Sequence, residues 1–353
     1  MLEGVITPPE AAPPLSDRAL VSVVIPVRNE EAFVGDVLAQ LLAQDYPVEC
    51  LEILVCDGRS TDRTRDVVSG VASRDERVIL LDNPRRRSSS ARNVGIRASR
   101  GEIVLVIDGH VQIPDTRLLR RIVDTFRETG ADCLGRPQPL IPQGNPWSVA
   151  ISRARASLLG HGPSSLIYSD YEGFAPAASM GAAYRRHVFD QIGMIDESFD
   201  ACEDLEFNTR LDRAGLRCFT SPSLTVRYYA RDSLTGLFRQ LFRYGAGRWR
   251  YVSRFPSAFG PGLLCPLAVL GALLILPFSR ILPAALAWCV WAGLSSYALA
   301  VVAWSVSLSV RGTWSAFSRY LIIFPTIHAA AALGFLAGLL HLLPDHSSPE
   351  PTD

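Results

Sequence analysis

The chain has 353 residues, of which 48% are hydrophobic and 20% charged, and this length suffices for one large globular domain and a further segment. Its 35 basic residues, all of them arginine, balance 35 acidic ones, so net charge argues neither for nor against a polyanionic partner. We expect no nucleic-acid partner. Because the sequence has no lysine, Schiff-base and pyridoxal-phosphate chemistry and the lysine-dependent phosphate sites of P-loop proteins and kinases are excluded.

The N-terminal segment and the cysteines indicate the setting of the protein. Residues 1–19 contain four prolines and lack the basic-then-apolar pattern of a signal peptide, which predicts a disordered leader. The seven cysteines are scattered, odd in number and without a C-x-x-C pair. This pattern is typical of a reducing compartment rather than of a disulfide framework or a zinc site.

From Leu20 onward, apolar β-branched runs alternate with stretches of helical periodicity. Strands are predicted at residues 21–27, 51–56, 77–81 and 103–107, and helices at about 34–42, 61–72, 91–99 and 116–129. This rhythm predicts an α/β domain with a mostly parallel sheet that is covered by helices on both faces. One more helix is predicted at about 203–214, ending at Gly215.

The last third of the chain is apolar. Three uncharged segments cover residues 262–278, 281–310 and 320–343. At 1.5 Å per residue, even the shortest of them approaches the thickness of a bilayer's hydrocarbon core. We therefore predict a transmembrane region at 256–344 with about three helices, the first of which could be re-entrant because it contains Pro266 and Pro277. The alternative is a buried helical hairpin in a soluble protein.

Arginine distribution predicts the orientation of these segments. Arginines are frequent at 243–254, before the first segment, and occur again at Arg311 and Arg319, before the third. The tail at 345–353 has acidic residues and no arginine. By the positive-inside rule, we expect a multi-pass protein of the inner (plasma) membrane with its large domain in the cytoplasm.

Polar residues follow the first two predicted strands, and ligands of open parallel sheets bind at the carboxyl ends of strands. Pro26, Arg28 and Glu30 lie at the end of the first strand, and Asp57 begins an Asp-Gly-Arg-Ser-Thr-Asp turn after the second. An aspartate followed by glycine and serine can bind a base or ribose. Alternatively, Ser60 or Thr61 caps the next helix.

Two further strand ends carry charged residues. The triplet Arg85–Arg87 leads into a helix in which Arg92 either holds a base or phosphate or belongs to a solvated turn. The triplet itself could contact anionic lipid headgroups. Asp108 and His110 follow the fourth strand, and a carboxylate and an imidazole at this spacing can both point at a divalent metal.

The remaining candidates lie on predicted helices. Glu203 and Asp204 begin a helix, whose dipole favours their ionised forms. One of them could be a general base, or both could simply stabilise the helix start. A stretch rich in arginine and aromatic residues at 239–249 could grip a diphosphate or anchor the chain at the membrane interface.

Taken in chain order, these motifs resemble those of the family-2 inverting glycosyltransferases, which have the GT-A fold. The resemblance extends from about Ser22 to Trp249. It rests on the stretches Val23–Glu30, Asp57–Asp62, Ala91–Asn93, Asp108–His110 and Glu203–Asp204, with Gly181, Arg185, Arg186 and Phe189 similar to the family's acceptor-side segment. Within the family, the sequence is most similar to membrane-bound succinoglycan-type exopolysaccharide glycosyltransferases. The resemblance implies a nucleotide-sugar-binding GT-A domain at 20–255.

The resemblance also implies roles for the residues. Asp204, with Glu203 beside it, is the catalytic base, and Asp108 and His110 hold Mg²⁺ or Mn²⁺. The nucleotide-sugar pocket is lined by Pro26, Arg28, Glu30, Asp57, Ser60, Arg92 and Asp108, with Asp57 at the uracil edge. The acceptor or its diphosphate contacts Gln240, Arg243, Tyr244, Arg248 and Trp249.

Two departures from the family pattern stand out. His110 replaces the second carboxylate of the usual D-x-D motif, which bears on metal preference. The Q-x-x-R-W motif of processive synthases is incomplete, because Tyr244 stands where the tryptophan belongs. With few membrane segments as well, the sequence argues against processive synthesis.

The expected function is transfer of one sugar from a UDP-sugar to a polyprenyl-linked saccharide at the membrane lipid surface, within a glycan-assembly complex. One alternative is direct transfer to polyprenyl phosphate. Another is a catalytically degenerate nucleotide-sugar-binding scaffold, which the replaced carboxylate suggests.

Overall fold

The computed structural model describes residues 14–161 and 166–342. Its strands are β1 (Val21–Val27), β2 (Leu51–Asp57), β3 (Val78–Asp82), β4 (Ile103–Val106), β5 (Val111–Gln112), β6 (Cys133–Gly135), β7 (Leu140–Ile141), β8 (Gly173–Phe174), β9 (Gly181–Arg185), β10 (Cys218–Thr220) and β11 (Arg227–Tyr229). Its α-helices are α1 (Val34–Leu42), α2 (Thr64–Ala72), α3 (Ser88–Ala98), α4 (Leu118–Thr129), α5 (Pro146–Arg155), α6 (Leu158–His161), α7 (His187–Ile192), α8 (Glu203–Arg213), α9 (Leu234–Arg254), α10 (Pro261–Ile275), α11 (Ala284–Val310) and α12 (Phe317–Leu339).

Contacts divide the chain into two compact units. The sheet unit comprises residues 14–139 and 166–228, and the helical unit comprises 140–161 and 229–342. The helical unit thus groups a short internal segment and α9 with the apolar helices. The functional boundaries expected from the sequence, a catalytic domain at 20–255 and a membrane region at 256–344, stay a prediction. The predicted leader lies mostly, and the predicted tail entirely, outside the described residues.

The sheet unit is built on an eight-stranded sheet with the order β3-β2-β1-β4-β9-β6-β10-β8. The first four strands are mutually parallel, as are β6 and β10, whereas β9 is inserted antiparallel between β4 and β6. The predicted mostly parallel α/β fold is therefore confirmed. Strand order reverses between β1 and β4, and the crevice at such a switch point is where open α/β sheets bind ligands.

Side chains of β1 alternate between two apolar layers. Val23 and Ile25 pack with α1 and α4 on one face, and Val24 packs with α3 and α8 on the other. The side chains alternate because successive residues of a strand point to opposite faces of the sheet. Both faces are apolar because helices cover both. The sheet is therefore held rigidly between two helical layers.

In the helical unit, glycines allow α9 and α12 to pack closely. A methyl group at Gly334 of α12 would overlap the Phe242 carbonyl of α9, and one at Gly245 would overlap the Ala331 carbonyl. Trp249 packs edge-on against Phe335, with ring centroids 5.5 Å apart. Small residues at a helix interface let two backbones approach in this way.

We expect Gly334→Ala to destabilise the helical unit by about 2 kcal/mol or more, because the added methyl forces α9 and α12 apart. Gly293→Ala is the matched control, since a methyl at that helical position meets nothing within 4 Å and alanine favours helix by about 1 kcal/mol over glycine. Thermal unfolding in detergent measures both variants. Equal melting temperatures for the two would contradict the packing described.

Each of the three apolar C-terminal segments contains a helix. Among residues 14–161 and 166–342, two helices are long and apolar enough to cross a membrane, Ala284–Val310 and Trp314–Leu339. The first predicted segment forms only the 15-residue helix α10, with Pro266 inside it and a 3₁₀ turn after it. At 1.5 Å per residue, α10 spans about 22 Å, less than the hydrocarbon core of about 30 Å.

His161, at the end of α6, makes the helical unit sensitive to acid. Burial, with a further contribution from the positive charges of Arg155 and Arg248, lowers its pKa to about 4. The unfolded chain takes up this proton near pH 6.5 and the folded chain only near pH 4, so stability is present above pH 6.5 and is lost as pH falls towards 4. We expect a loss of up to about 3 kcal/mol, at 1.36 kcal/mol for each pKa unit.

The variant His161→Asn isolates this contribution. Its melting temperature should fall less than that of the unsubstituted protein between pH 7 and pH 4.5, because asparagine does not titrate. Equal acid sensitivity of the two proteins would show that other groups cause the loss.

Candidate active site at the strand ends

The loops that follow β1 and β2 are tied together by hydrogen bonds. The Asn29 N–H donates to Ser60 Oγ at 2.9 Å, and the Thr61 N–H donates to Asn29 Oδ1 at 2.8 Å. The Glu30 N–H donates to Thr64 Oγ1 at 2.8 Å. Asn29 has a φ of 57°, which asparagine tolerates better than most residues. The two loops therefore form one ordered edge beside the switch point.

Asp57 is fully buried at the end of β2. Its carboxylate accepts hydrogen bonds from Ser60 Oγ at 2.5 Å and from Arg65 Nη1 at 2.8 Å. Helix α2 begins only at Thr64, and the Thr64 N–H donates to Asp62, so the alternative that Ser60 or Thr61 caps this helix is wrong. Asp57 orders the turn, and its contact with a uracil edge stays a prediction.

The turn after β4 is packed tightly beneath β1. A methyl group at Gly109 would lie 2.8 Å from Val27 Cγ1, so the turn has room only for glycine. His110 Nδ1 lies 2.9 Å from Glu30 Oε1, and its ring packs against Phe33 in a tilted arrangement and against Tyr228 in a T-shaped one. Glu30, predicted to line the nucleotide pocket, thus orients the imidazole, and Pro26 and Arg28 lie on the adjacent strand end.

Arg92 joins three elements at this edge. Its guanidinium lies 3.4 Å from Glu203 Oε1 of α8 and 3.7 Å from Asp108 Oδ1 after β4, and only 13% of its side chain is exposed. Burial opposes its charge, but Glu203, Asp108 and Asp204 outweigh burial and raise the pKa of Arg92 above its usual value. The structure thus brings together Arg92, Asp108, Glu203 and Asp204, as the sequence predicted.

The two acidic residues at the start of α8 differ in environment. Glu203 is buried, and burial together with Asp204 raises its pKa although Arg92 opposes this. Asp204 is exposed in the first helical turn, where its carboxylate accepts the N–H of Leu205 at 2.7 Å. A general base must reach its substrate, so Asp204 is the better candidate, and Glu203 is the counter-ion of Arg92.

The site fits a divalent cation that a substrate helps to hold. Among the residues that the structure describes, no group of three or more His, Cys, Asp or Glu side chains is placed to bind a metal. Asp108, 30% exposed, and His110, oriented by a carboxylate, are suitable partial donors. Mg²⁺ in such sites keeps waters and binds one or two carboxylates together with substrate phosphates.

The five predicted acceptor residues all lie on α9, in the helical unit. Gln240 Nε2 donates to Tyr244 Oη at 3.3 Å, and the Arg248 guanidinium lies 5.8 Å from the centre of the Tyr251 ring. Trp249 packs at the α9–α12 interface. These contacts give the residues structural roles, and binding of an acceptor by Gln240, Arg243, Tyr244, Arg248 and Trp249 stays a prediction.

Sequence reasoning missed Arg136 and Tyr228. Arg136 is 3% exposed at the end of β6, and its Nη2 donates to the Val106 carbonyl at 3.0 Å and to Tyr228 Oη at 3.2 Å. The available signal was an arginine directly after the apolar strand Cys133–Gly135. No periodic pattern surrounds it, so its burial could not be read from the sequence.

Known proteins are similar to this chain in sequence and in fold. Residues 22–193 match the family model "Glycosyl transferase family 2". The chain is 31% identical over 249 residues to "Succinoglycan biosynthesis protein ExoA" of Rhizobium meliloti (strain 1021), covering 70% of this chain and 74% of that protein.

A second relative is similar over nearly its whole length. The chain is 24% identical over 325 residues to the "Dolichyl N-acetyl-alpha-D-glucosaminyl phosphate 3-beta-D-2,3-diacetamido-2,3-dideoxy-beta-D-glucuronosyltransferase" of Methanococcus voltae, covering 91% of this chain and 97% of that protein.

Among solved structures, the mannosyltransferase PcManGT from Pyrobaculum calidifontis, in complex with GDP-Man and Mn²⁺, superposes with a TM-score of 0.58 at 20% identity and covers 94% of this chain and 90% of that one. This likeness shows the fold, which is GT-A-like. The sequence matches show that the chain belongs to glycosyltransferase family 2.

Proposed function

We propose that this protein is an inverting glycosyltransferase that transfers a sugar from a UDP-sugar to a saccharide carried on a polyprenyl lipid, in exopolysaccharide or cell-surface glycan synthesis. The observation that carries the proposal is the exposed Asp204 beside buried Arg92, which bridges Glu203 and Asp108 at the switch point. The names of the relatives from Rhizobium and Methanococcus support a succinoglycan-like product and a lipid-linked acceptor.

The reaction is a single in-line displacement. Asp204 accepts the proton of the acceptor hydroxyl while the hydroxyl oxygen forms a bond to the anomeric carbon. The bond from that carbon to the diphosphate oxygen breaks, and its electron pair leaves with the diphosphate. One displacement inverts the anomeric centre, so an α-linked donor gives a β-linked product. Arg92 provides fixed positive charge close to the departing group.

A divalent cation fits the same turn. Asp108 and His110 would hold Mg²⁺ or Mn²⁺ together with the donor diphosphate, and the cation would neutralise charge on that leaving group. The remaining chemistry belongs to the protein: the Glu30 carboxylate orients the His110 ring, and Glu203 keeps Arg92 in place.

We further propose that the protein is a multi-pass inner-membrane protein with its catalytic domain in the cytoplasm. Two apolar helices support insertion, and α11 presents large exposed apolar side chains such as Trp288 and Leu299. The segments 140–161 and 229–260, which precede the apolar helices, contain eight arginines against Asp232, as expected for a region at an anionic cytoplasmic lipid surface.

A transfer assay tests the function. Membranes containing the full-length protein are incubated with radiolabelled UDP-, GDP- and dTDP-sugars and with either a lipid-linked saccharide or polyprenyl phosphate. We expect label from one UDP-sugar to enter the lipid-linked saccharide, with inversion at the anomeric carbon. Transfer to polyprenyl phosphate alone would contradict the proposed acceptor, and retention of configuration would contradict the single displacement.

A further inference from the structure

Arg136 lies beneath the turn that carries Asp108. Its Nη2 binds the carbonyl of Val106, the last residue of β4, and the hydroxyl of Tyr228 on β11. Tyr228 in turn presents its ring edge-on to His110, with ring centroids 6.2 Å apart. Strand β11 pairs with β5 so that Tyr228 lies opposite Val111, the residue after His110. Arg136 thus supports the Asp108–His110 turn at its start, through the Val106 carbonyl, and at its end, through Tyr228.

The Arg136 guanidinium can donate more hydrogen bonds than the two that it makes. Its Nε and Nη1 are buried and make no hydrogen bond within residues 14–161 and 166–342, and no carboxylate of those residues forms an ion pair with it. Arg92 differs, because Glu203 and Asp108 both lie close to its charge.

A buried cation without an acidic partner is costly to the fold. A neutral donor would suffice to bind one carbonyl and one hydroxyl, so bracing alone does not account for a charge here. Asp108 and Arg136 both lie close enough to Tyr228 to act on it electrostatically. The positive charge is therefore placed behind the turn where the donor's diphosphate is proposed to bind.

We propose that Arg136 is a positioning residue for the nucleotide-sugar diphosphate. It holds the Asp108–His110 turn through Val106 and Tyr228, and its unpaired charge favours an anion at that turn. This inference rests on the proposed function, since it concerns the same donor site. Its atoms are buried, so Arg136 acts through the turn and through its field rather than by touching the substrate.

Calorimetric titration of the full-length protein in detergent tests the inference with three probes: UDP, inorganic pyrophosphate and uridine. Arg136→Gln removes the charge and keeps a hydrogen-bond donor. We expect it to weaken the binding of UDP and of pyrophosphate about tenfold and to leave the binding of uridine unchanged. Arg136→Lys keeps the charge and should bind both anions within about threefold of the unsubstituted protein. A merely structural brace would not separate the charged probes from uridine.

Arg77→Gln is the matched control. The Arg77 side chain is also largely buried, 13% exposed, but it pairs with Asp75 and directly precedes β3, at the amino end of that strand. Its loss should lower the melting temperature and leave UDP affinity unchanged. Should Arg136→Gln not fold, Tyr228→Phe takes its place, because it removes only the hydroxyl that Arg136 binds; we expect about threefold weaker pyrophosphate binding and unchanged uridine binding.

The outcomes separate the inference from the function. If the unsubstituted protein binds UDP and Arg136→Gln binds it equally well, the inference is overturned and the proposed function stands. Equally weakened binding of all three probes would give Arg136 a purely structural role and would also overturn the inference. If the unsubstituted protein binds neither UDP nor pyrophosphate, both the proposed donor site and the inference are contradicted.

Discussion

Asp204→Asn is expected to lower kcat by about 10³-fold, within the range of 10² to 10⁴ that general-base catalysis contributes. Asparagine keeps the size of the side chain and an oxygen that can accept the Leu205 N–H, as the carboxylate does. It cannot accept the acceptor's proton. Because Asp204 is exposed while Glu203 makes the contact with Arg92, the affinity for the donor should change by less than about threefold.

Steady-state transfer and UDP titration measure these two quantities separately. Asp124→Asn, an exposed carboxylate on α4, is the control and should retain kcat within about twofold. Near-normal turnover by Asp204→Asn would remove Asp204 from the role of base. A large loss of donor affinity with unchanged kcat would instead place Asp204 in the nucleotide pocket.

Asp108→Asn is expected to lower kcat/KM for the donor by about 10²- to 10³-fold. The substitution removes the partly exposed carboxylate of the turn after β4 and leaves Arg92 paired with Glu203 alone. The cation concentration needed for half-maximal UDP binding should rise about tenfold or more, because carboxylate oxygens are the donors that Mg²⁺ prefers.

Titration of Mg²⁺ and Mn²⁺ against UDP binding measures this shift without reference to turnover. Asp115→Asn is the control, since that carboxylate lies further along the same loop and binds Arg121 at 2.7 Å. It should leave the cation dependence unchanged. Unaltered cation dependence in Asp108→Asn would show that the cation, if it binds, is held elsewhere.

Much of the sheet unit could be predicted because its strands are continuous apolar runs. Val21–Val27 and Leu51–Asp57 are covered on both faces, and such runs are legible in one sequence. Helix α2 starts at Thr64 rather than at 61, because Ser60 and Thr61 are bound to the preceding loop. The antiparallel β9 was not predictable, since it depends on pairing with distant strands.

The residues of the candidate site could likewise be predicted only in part. Asp108 and the Glu203–Asp204 pair were recognisable by their places at a strand end and a helix start. The difference between Glu203 and Asp204 was not, because it arises from burial against Arg92, more than 100 residues away in the chain. Arg136 and Tyr228, 92 residues apart, were missed for the same reason: a tertiary contact leaves no local pattern.

The first apolar segment is α-helical over only part of its length, and the cause is visible in the local sequence. Pro266 lies inside α10, and Pro277 lies in the 3₁₀ turn that follows it. Proline removes a helical hydrogen bond and limits continuation. Lack of charge thus identified an apolar segment that is α-helical over Pro261–Ile275 and a 3₁₀ turn over Leu276–Phe278, and its insertion into a membrane stays a prediction.

The carboxyl ends of β1, β2 and β4 are proposed to form one donor site. The most direct measurement is the structure of the full-length protein crystallised with UDP and Mn²⁺. We expect the diphosphate at the Asp108–His110 turn, the uracil beside Asp57, and the carboxylate of Asp204 facing the sugar side of the diphosphate. A nucleotide bound away from these strand ends, with Asp204 remote from its phosphates, would contradict the proposed donor site.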